Sequence, residues 1–515
     1  MNRSKTEQRV IPPDDAYNRT LVDNVHPPTW TNPSPTGPYN LVVLGAGTAG
    51  LVTAAVAAGL GAKVALIERE LMGGDCLNVG CVPSKAVIRA ARVCSEVRAA
   101  GDFGLHLPEG LRGDFGAAMA RMRKLRAQIS QTDAAERYRG LGVDVYLGEA
   151  QFTGRNTVEV DGERLTFKRA AICTGTRAAA PPISGLEEAG YLTNETVFSL
   201  TTLPRRIAVI GGGPIGCELA QAFARLGSEV YVFEQMERIL PNEDADAAEV
   251  VQKQMAKDEI EFVFDSKVAR IERRGDEKVV HYEMNGSTKE RVVDQILVGV
   301  GRAPNVEGLG LEQAGVEYDP KIGVKVNSRL QTTHPRIYAA GDVCFPLKFT
   351  HLADAMAQIV IQNALFPHPF GLGYARTEAL ILPWCTYTEP EIAHVGLYEA
   401  EAEKKGFKVE TYTYPLSEVD RAVLDGEEAG FARIHIRKGT DRILGATIVG
   451  AHAGEMISEI TVLMQGGRGL KTLLATIHPY PTQAEVIKKA ANQWRKAHFT
   501  AGMQRLLQKW FEWTR

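Results

Sequence analysis

The sequence predicts an α/β protein built on two doubly wound layers, and three observations carry that prediction. From Tyr39 onward, short apolar runs alternate with Ala-rich stretches of helical length, the pattern of parallel strands joined by crossover helices. A strand, glycine turn, helix and second strand occur twice in the same arrangement, as LVVLGAGTAG followed by IERE and as IAVIGGGPIG followed by VFEQ. The length of 515 residues also exceeds what one core organises, at about 150 residues per domain. Composition agrees, since 44% hydrophobic and 23% charged residues exclude a disordered or fibrous chain. With 59 Lys and Arg against 62 Asp and Glu, the net charge of −3 leaves no overall positive excess for nucleic-acid phosphates or an acidic membrane. Seven scattered cysteines are too few for a disulfide scaffold, which points to a reducing cytoplasm.

Residues 1–38 read as a Pro-rich, largely irregular arm, because prolines at 12, 13, 27, 28, 33, 35 and 38 exclude long helices. No apolar segment of the signal-peptide kind occurs there. The run 41–62 carries no charge over 22 positions, enough to span a bilayer, but its five glycines are patterned. Gly45, Gly47 and Gly50 follow the first strand and Glu68 ends the next; Gly211, Gly213, Gly216 and Glu234 repeat the arrangement, each acid 23 residues past the first glycine. The first glycine makes a tight turn, the second lets backbone approach a pyrophosphate, and the third lets the helix pack on the strand. The helix N-terminus receives the phosphates, and the acid accepts from a ribose hydroxyl. Two such sites in one chain imply electron transfer between two dinucleotides, most simply from a nicotinamide to a flavin.

Just after the first unit, GGDCLNVGCVPSK places Cys76 and Cys81 five residues apart. In a regular helix that separation is about 8–9 Å, beyond the roughly 7 Å limit for a disulfide. A bond between them therefore requires distorted backbone, for which Gly73, Gly74 and Gly80 give freedom, and Pro83 suits a helix start just beyond. A dithiol so placed is suited to redox cycling. Half of a zinc site, or two buried inert thiols, are the other readings, the first disfavoured because no matching Cys/His pair lies elsewhere.

GGDCLNVGCVPSK, the two glycine fingerprints, AICTGTRAAAPP, GVGRAPN and IYAAGDVC together resemble the class I pyridine nucleotide–disulfide oxidoreductases: glutathione reductase, dihydrolipoamide dehydrogenase and mercuric reductase. The resemblance covers about residues 39–490. It implies an FAD-binding domain (39–190 and 316–377) interrupted by an inserted NAD-binding domain (191–315), then an α+β dimerisation domain (378–490). The first site would hold FAD, through Gly45, Gly47, Gly50, Glu68, Lys85, Ala150, Thr174, Gly175, Asp342 and Thr350. The second would hold the nicotinamide dinucleotide, through Gly211, Gly213, Gly216, Glu234 and Gly301. Asp342 would bind the ribityl chain, and Thr350 would open a helix aimed at the flavin N1 and O2 edge. Cys81 would be the thiolate against the flavin and Cys76 the sulfur that exchanges with substrate, with Lys85 and Glu218 paired beside flavin N5. NAD(P)H would reduce FAD, FAD the Cys76–Cys81 disulfide, and the dithiol an acceptor. Glu234 predicts NADH over NADPH, because a carboxylate repels a 2′-phosphate, although Arg238 is a nearby candidate phosphate partner. A flavoprotein that senses redox state without turnover is the contrasting class.

PWCTYTEPEIAHVG and RILGATIVGAHAGEMI resemble the family's dimerisation domain, which sends a His–Glu dyad into the partner subunit's active site. Here the text is HPYPTQAE, with Tyr480 five residues before Glu485 and the histidine, His478, two places earlier. Mercuric reductases also carry tyrosine at that position, which moves the resemblance toward them. Their metal-delivering cysteines are missing: the last cysteine is Cys385, and no N-terminal CxxC domain occurs. That argues against mercury as the physiological substrate. An imidazole near 6.5 can protonate a leaving thiolate at neutral pH, whereas a phenol near 10 does so poorly. Glutathione disulfide and lipoamide are therefore expected to turn over weakly, and a soft metal ion held transiently by Cys76 and Cys81, with no permanent metal site, is the leading acceptor. Dihydrolipoamide dehydrogenase or another disulfide reductase is the alternative. In 491–515, Met503, Leu506, Leu507, Trp510 and Phe511 share one helical face and three of the five tryptophans occur. This aromatic tail is expected to dock on the protein itself, with a membrane surface or a partner as the alternative.

Overall fold

Apolar runs that are buried on both faces become parallel strands, and the chain uses them for its first sheet. In the computed structural model, which describes residues 10–108, 110 and 112–515, Tyr39–Leu44 is the central strand. Val43 lies opposite Leu66 of Val64–Glu68 on one side and opposite Ala171 of Glu163–Ile172 on the other. Val143–Leu147 extends the sheet beyond Val64–Glu68, and Ile337–Ala339 pairs in parallel with Ala170–Ile172. That last strand arrives only after a second parallel sheet has been built, from Glu261–Val263, Glu229–Phe233, Arg206–Ile210 and Gln295–Val298 in spatial order. The insertion expected from the sequence is thus visible in the strand order. The uncharged run 41–62 divides into a strand, a glycine turn and the twelve-residue helix Thr48–Gly59. Among the described residues, no helix is long and apolar enough to cross a membrane.

The described chain groups into two units. One holds the residues through Gln235 and Ile260–Leu380, and the other Met236–Glu259 and Ile381–Arg515. The second is α+β: an antiparallel sheet ordered Pro383–Thr386, Glu391–Gly396, Ile443–Gly450, Phe431–Arg437, Val409–Pro415. Helices Ala453–Gln465 and Glu485–Ala497 bury Ile460, Val486, Ile487 and Trp494 with strand residues Val395, Ile434 and Ile448 in its core. Residues 236–259, which sequence reasoning gives to the NAD-binding domain, group with this unit instead. Glu243 accepts from Trp384 Nε1 and Tyr398 Oη, and Asp244 and Asp246 accept from Arg433.

The arm is more ordered than its prolines suggest, although residues 1–9 lie outside the described residues. Its proline-free stretch forms helix Ala16–Val25, capped by Asp15, whose side chain accepts from the Asn18 amide. Leu21 and Val25 are fully buried, a contribution of about 1.5–3 kcal/mol each. Asp15 also pairs with Arg123, while Trp30 Nε1 donates to the Val145 carbonyl and Asn32 bonds both polar groups of the Leu147 backbone, which fastens the arm along the outer strand of the first sheet. The tail departs from expectation too. Trp494 of the helix Glu485–Ala497 is buried, but the following helix, Ala501–Thr514, buries no residue and does not dock on its own chain.

Candidate active site

The two glycine fingerprints fold alike because their first and third glycines have no room for a side chain. Gly45 has φ +97° and Gly211 φ +106°, backbone open to glycine but strained for other residues. A Cβ on Gly50 would lie 1.8 Å from the Gly45 carbonyl oxygen, and one on Gly216 2.0 Å from that of Gly211. The middle glycines differ. A Cβ on Gly213 would meet no protein atom within 4 Å, and one on Gly47 nothing nearer than Gly74 Cα at 3.7 Å. Protein packing alone does not demand glycine there, whereas a pyrophosphate approaching the N-terminus of the helix Thr48–Gly59 or Pro214–Leu226 does. Both sites therefore fit a dinucleotide.

The acids occupy equivalent places. The Ala46 amide donates to Glu68 Oε2 at 2.7 Å, and the Gly212 amide to Glu234 Oε2 at 2.7 Å. Glu68 Oε1 also accepts from the Glu70 amide, and burial pushes its carboxyl up. Arg238 donates to the carbonyls of Leu240, Pro241 and Glu243 within its own loop. Around the first site, Thr174 and Gly175 are locked to Asn305, and half-buried Asp342, raised by desolvation, accepts from Thr176 Oγ1. Ala150 starts an edge strand two residues after Gly148, whose amide donates to the Glu68 carbonyl. Beside the second fingerprint, a recess of about 250 Å³ is lined by Gly213, Ile215, Asn194, Gly301 and Arg302 among others.

Between Cys76 and Cys81 the helix breaks as the disulfide distance requires. Gly74–Asn78 is one short turn of helix, Val79 and Gly80 leave helical geometry, and Cys81 begins the eighteen-residue helix Cys81–Arg98. This helix starts two residues before Pro83 rather than beyond it, which a proline in the first turn permits. Any Cβ on Gly80 would sit 2.7 Å from the Asp75 carbonyl oxygen. The half-buried Cys76 and exposed Cys81 are both free thiols. Cys81 is lowered to about 6, first by a hydrogen bond from Cys76, then by Thr350 and by the charge of Lys85, all against desolvation. Cys76 is pushed up by that same bond and by burial, so the pair keeps its last proton on Cys76. Thr350 opens the helix Thr350–Leu365, with its Oγ1 3.3 Å from Cys81 Sγ, so two helix N-termini face this sulfur. Lys85 Nζ stands 2.8 Å from Glu218 Oε2, the carboxylate nearly buried.

Sequence reasoning missed Arg302, which lies inside the GVGRAPN motif. Its guanidinium pairs with Asp75, next to Cys76, and donates from Nε to Thr176 Oγ1 at 2.7 Å. The Asn78 carbonyl, inside the redox loop, accepts from Arg126, and the Val79 carbonyl from Asn194.

In the second unit, the dyad expected from HPYPTQAE is not formed within the chain. Tyr480 Oη donates to Asp420 at 2.8 Å, and that bond holds its phenol above the ordinary value. His478 Nε2 stands 2.8 Å from Glu459, a partner sequence reasoning missed because it lies 19 residues earlier. Glu485 Oε1 is 3.9 Å from Lys489, and its buried Oε2 has no hydrogen-bond partner among the described residues.

Two dinucleotide cradles in the same unit as a polarised dithiol define an oxidoreductase that passes electrons between a nicotinamide, a flavin and a cysteine pair. Residues 39–359 match the pyridine nucleotide-disulphide oxidoreductase family and residues 382–491 its dimerisation domain; the chain belongs to that family. The mercuric reductase of Staphylococcus aureus is 36% identical over 455 residues, 88% of this chain and 82% of its own. The dihydrolipoyl dehydrogenase of Thermus scotoductus is 36% identical over 472 residues, 89% of this chain and 98% of its own. Among solved structures, the Cu(II) complex of the HOCl-induced flavoprotein disulfide reductase RclA from Escherichia coli matches with a TM-score of 0.78 at 27% identity, covering 87% of this chain and 98% of that one. The chain is accordingly an enzyme, an FAD- and NAD(P)H-dependent disulfide-type oxidoreductase whose dimerisation domain makes it a homodimer.

Proposed function

We propose that the enzyme uses NADH to reduce a soft metal ion at the Cys76–Cys81 dithiol. The observation that carries this reading is the pair itself: two free thiols either side of a helix break, with Cys81 opening its helix 3.3 Å from Thr350 Oγ1 and favoured as the thiolate while Cys76 keeps the proton. Bound in the first cradle, FAD would relay two electrons from the nicotinamide to the cysteine pair. Cys81 would meet that group as thiolate, with Lys85, paired to Glu218, and the N-termini of the helices from Cys81 and Thr350 holding its charge. Cys76 leads exchange with the acceptor. A divalent soft metal ion that binds both sulfurs displaces the Cys76 proton to solvent; its two-electron reduction by the two thiolates releases the metal and closes the Cys76–Cys81 disulfide, and two electrons from the nicotinamide reopen it. No proton need reach a leaving thiolate in that step, which suits a chain that carries Tyr480 in HPYPTQAE where the family has its general-acid histidine. The Cu(II) complex of the RclA relative supports metal access to a site of this family.

Glu234 at the end of the second strand supports NADH over NADPH, as does Arg238, whose guanidinium bonds its own loop. Each active site is completed in trans, with the segment that carries Glu485 supplied by the other subunit, a reading supported by the match of residues 382–491 to the family's dimerisation domain. Seven scattered cysteines and a dithiol reduced by a nicotinamide support a cytoplasmic location. A disulfide reductase is the second reading, favoured by the His478–Glu459 pair, which gives an imidazole the oriented carboxylate a general acid needs. Oxidation of NADH with Hg(II), Cu(II), lipoamide and glutathione disulfide separates the two. Metal turnover well above disulfide turnover is expected. Robust lipoamide or glutathione reductase activity that is lost in His478→Ala but kept in Tyr480→Phe would overturn the metal reading in favour of the second.

A further inference from the structure

The helix Ala501–Thr514 is preformed and uncovered. It begins with Thr500, whose Oγ1 accepts from the Met503 amide, a short step after a helix fixed in the core by Val486, Ile487 and Trp494. At 100° per residue, Met503, Leu506, Leu507, Trp510, Phe511 and Trp513 fall within an arc of about 160°. The opposite side carries Gln504, Arg505, Gln508, Lys509 and Glu512. All six apolar side chains are 40–76% exposed, a contiguous patch of a kind that marks a binding surface. Charge is concentrated here as well: Arg495, Lys496, Arg505, Lys509 and Arg515 stand against Glu512 alone, a local balance of +4 in a chain whose total is −3.

An apolar arc rich in tryptophan, backed by cations, matches one environment in both respects: the boundary between acyl chains and anionic headgroups. There Trp510, Trp513 and Phe511 sink their rings to headgroup depth, and Arg505 and Lys509 stay in water beside lipid phosphates. We propose that the tail helix binds the surface of an anionic lipid bilayer, lying in the plane of the interface, and so recruits the homodimer with two such helices to a membrane. The two-fold presentation strengthens attachment, because once one helix is bound the other is held near the same surface.

The test uses the full-length holoenzyme with vesicles of phosphatidylglycerol and phosphatidylcholine in equal parts, and with vesicles of phosphatidylcholine alone. Co-sedimentation with the anionic vesicles, a blue shift of tryptophan emission on adding them, and release by salt are expected. Replacing Arg505 and Lys509 by Gln should weaken partitioning by about thirtyfold while leaving the apolar face intact. Leu506→Ser with Trp510→Ser should abolish it, and NADH turnover should be unchanged in both variants. The proposal is overturned if the wild type stays in the supernatant with anionic vesicles, or if it binds phosphatidylcholine equally well without salt dependence. It is also overturned if the Leu506→Ser, Trp510→Ser variant sediments as a monomer, for then a second copy of the chain covers this face.

Discussion

Replacing Cys76 with alanine removes the donor that does most to keep Cys81 ionised. With that donor in place, Cys81 is lowered to about 6 from an ordinary 9.0, so the thiolate is favoured at neutral pH. A hydrogen bond to a charged group contributes about 1.5–3 kcal/mol, and about 1.4 kcal/mol corresponds to one pKa unit. Cys76→Ala should therefore raise Cys81 by about one to two units, to about 7–8, with Thr350, Lys85 and the helix N-termini holding the remainder. The sign is fixed by the charge: the thiolate exists above its pKa, so the pH below which it disappears moves upward. In the holoenzyme the readout is the long-wavelength absorbance from thiolate-to-flavin charge transfer, titrated against pH. Cys76→Ser keeps a hydroxyl donor, should show the band without added reductant, and should titrate closer to the low value. Cys81→Ser should show no band at any pH. A midpoint for Cys76→Ala at or below that of Cys76→Ser, or a band that survives in Cys81→Ser, would refute the assignment of the two sulfurs.

Gly213→Ala should leave thermal stability within about 0.5 kcal/mol of the wild type, because its Cβ meets no protein atom, yet weaken nicotinamide binding; Gly216→Ala, facing a carbonyl at 2.0 Å, should destabilise the fold by about 2 kcal/mol or more in a melting experiment. The specificity constant for NADH should exceed that for NADPH, and Glu234→Arg should move the preference toward NADPH; equal constants in the wild type would count against the acid's role. Heterodimers formed by mixing inactive Cys76→Ser and Glu485→Gln chains should recover part of the activity, whereas a fully active monomer in sedimentation would show that each site is complete within one chain.

The glycine fingerprints were legible because their constraints are local: a Cβ on Gly50 would clash with Gly45 and one on Gly216 with Gly211, and Glu68 and Glu234 bond the turn of their own unit. The break before Cys81 was legible for the same reason, since a spacing of five can be tested against helix geometry without knowing the rest of the fold. What escaped depends on contacts that spacing does not encode. Thr350 reaches Cys81 across 269 positions, and Arg302 reaches Asp75 across 227. The transfer of 236–259 to the second unit follows from the buried acceptor Glu243, which looks like any surface acid in the sequence. In the C-terminal unit, the resemblance placed Tyr480 at the dyad position five residues before Glu485, while the fold offered Asp420 to the phenol and Glu459 to the imidazole.

The short strand Ile337–Ala339 sets an order of events in the life of each new chain. Its place beside Ala170–Ile172 stays empty on the growing polypeptide until well over a hundred further residues have left the ribosome. During that interval the edge of the first sheet presents unpaired amides and carbonyls, a template for pairing with another nascent chain. The inserted sheet can complete itself meanwhile, since all four of its strands lie between Arg206 and Val298. The first cradle closes late, after the second, and the helix from Thr350 that faces Cys81 follows within a dozen residues of the missing strand. Sheet closure and assembly of the sulfur's surroundings are thus delivered by one segment of chain, so a product cut short before Ile337 lacks both together.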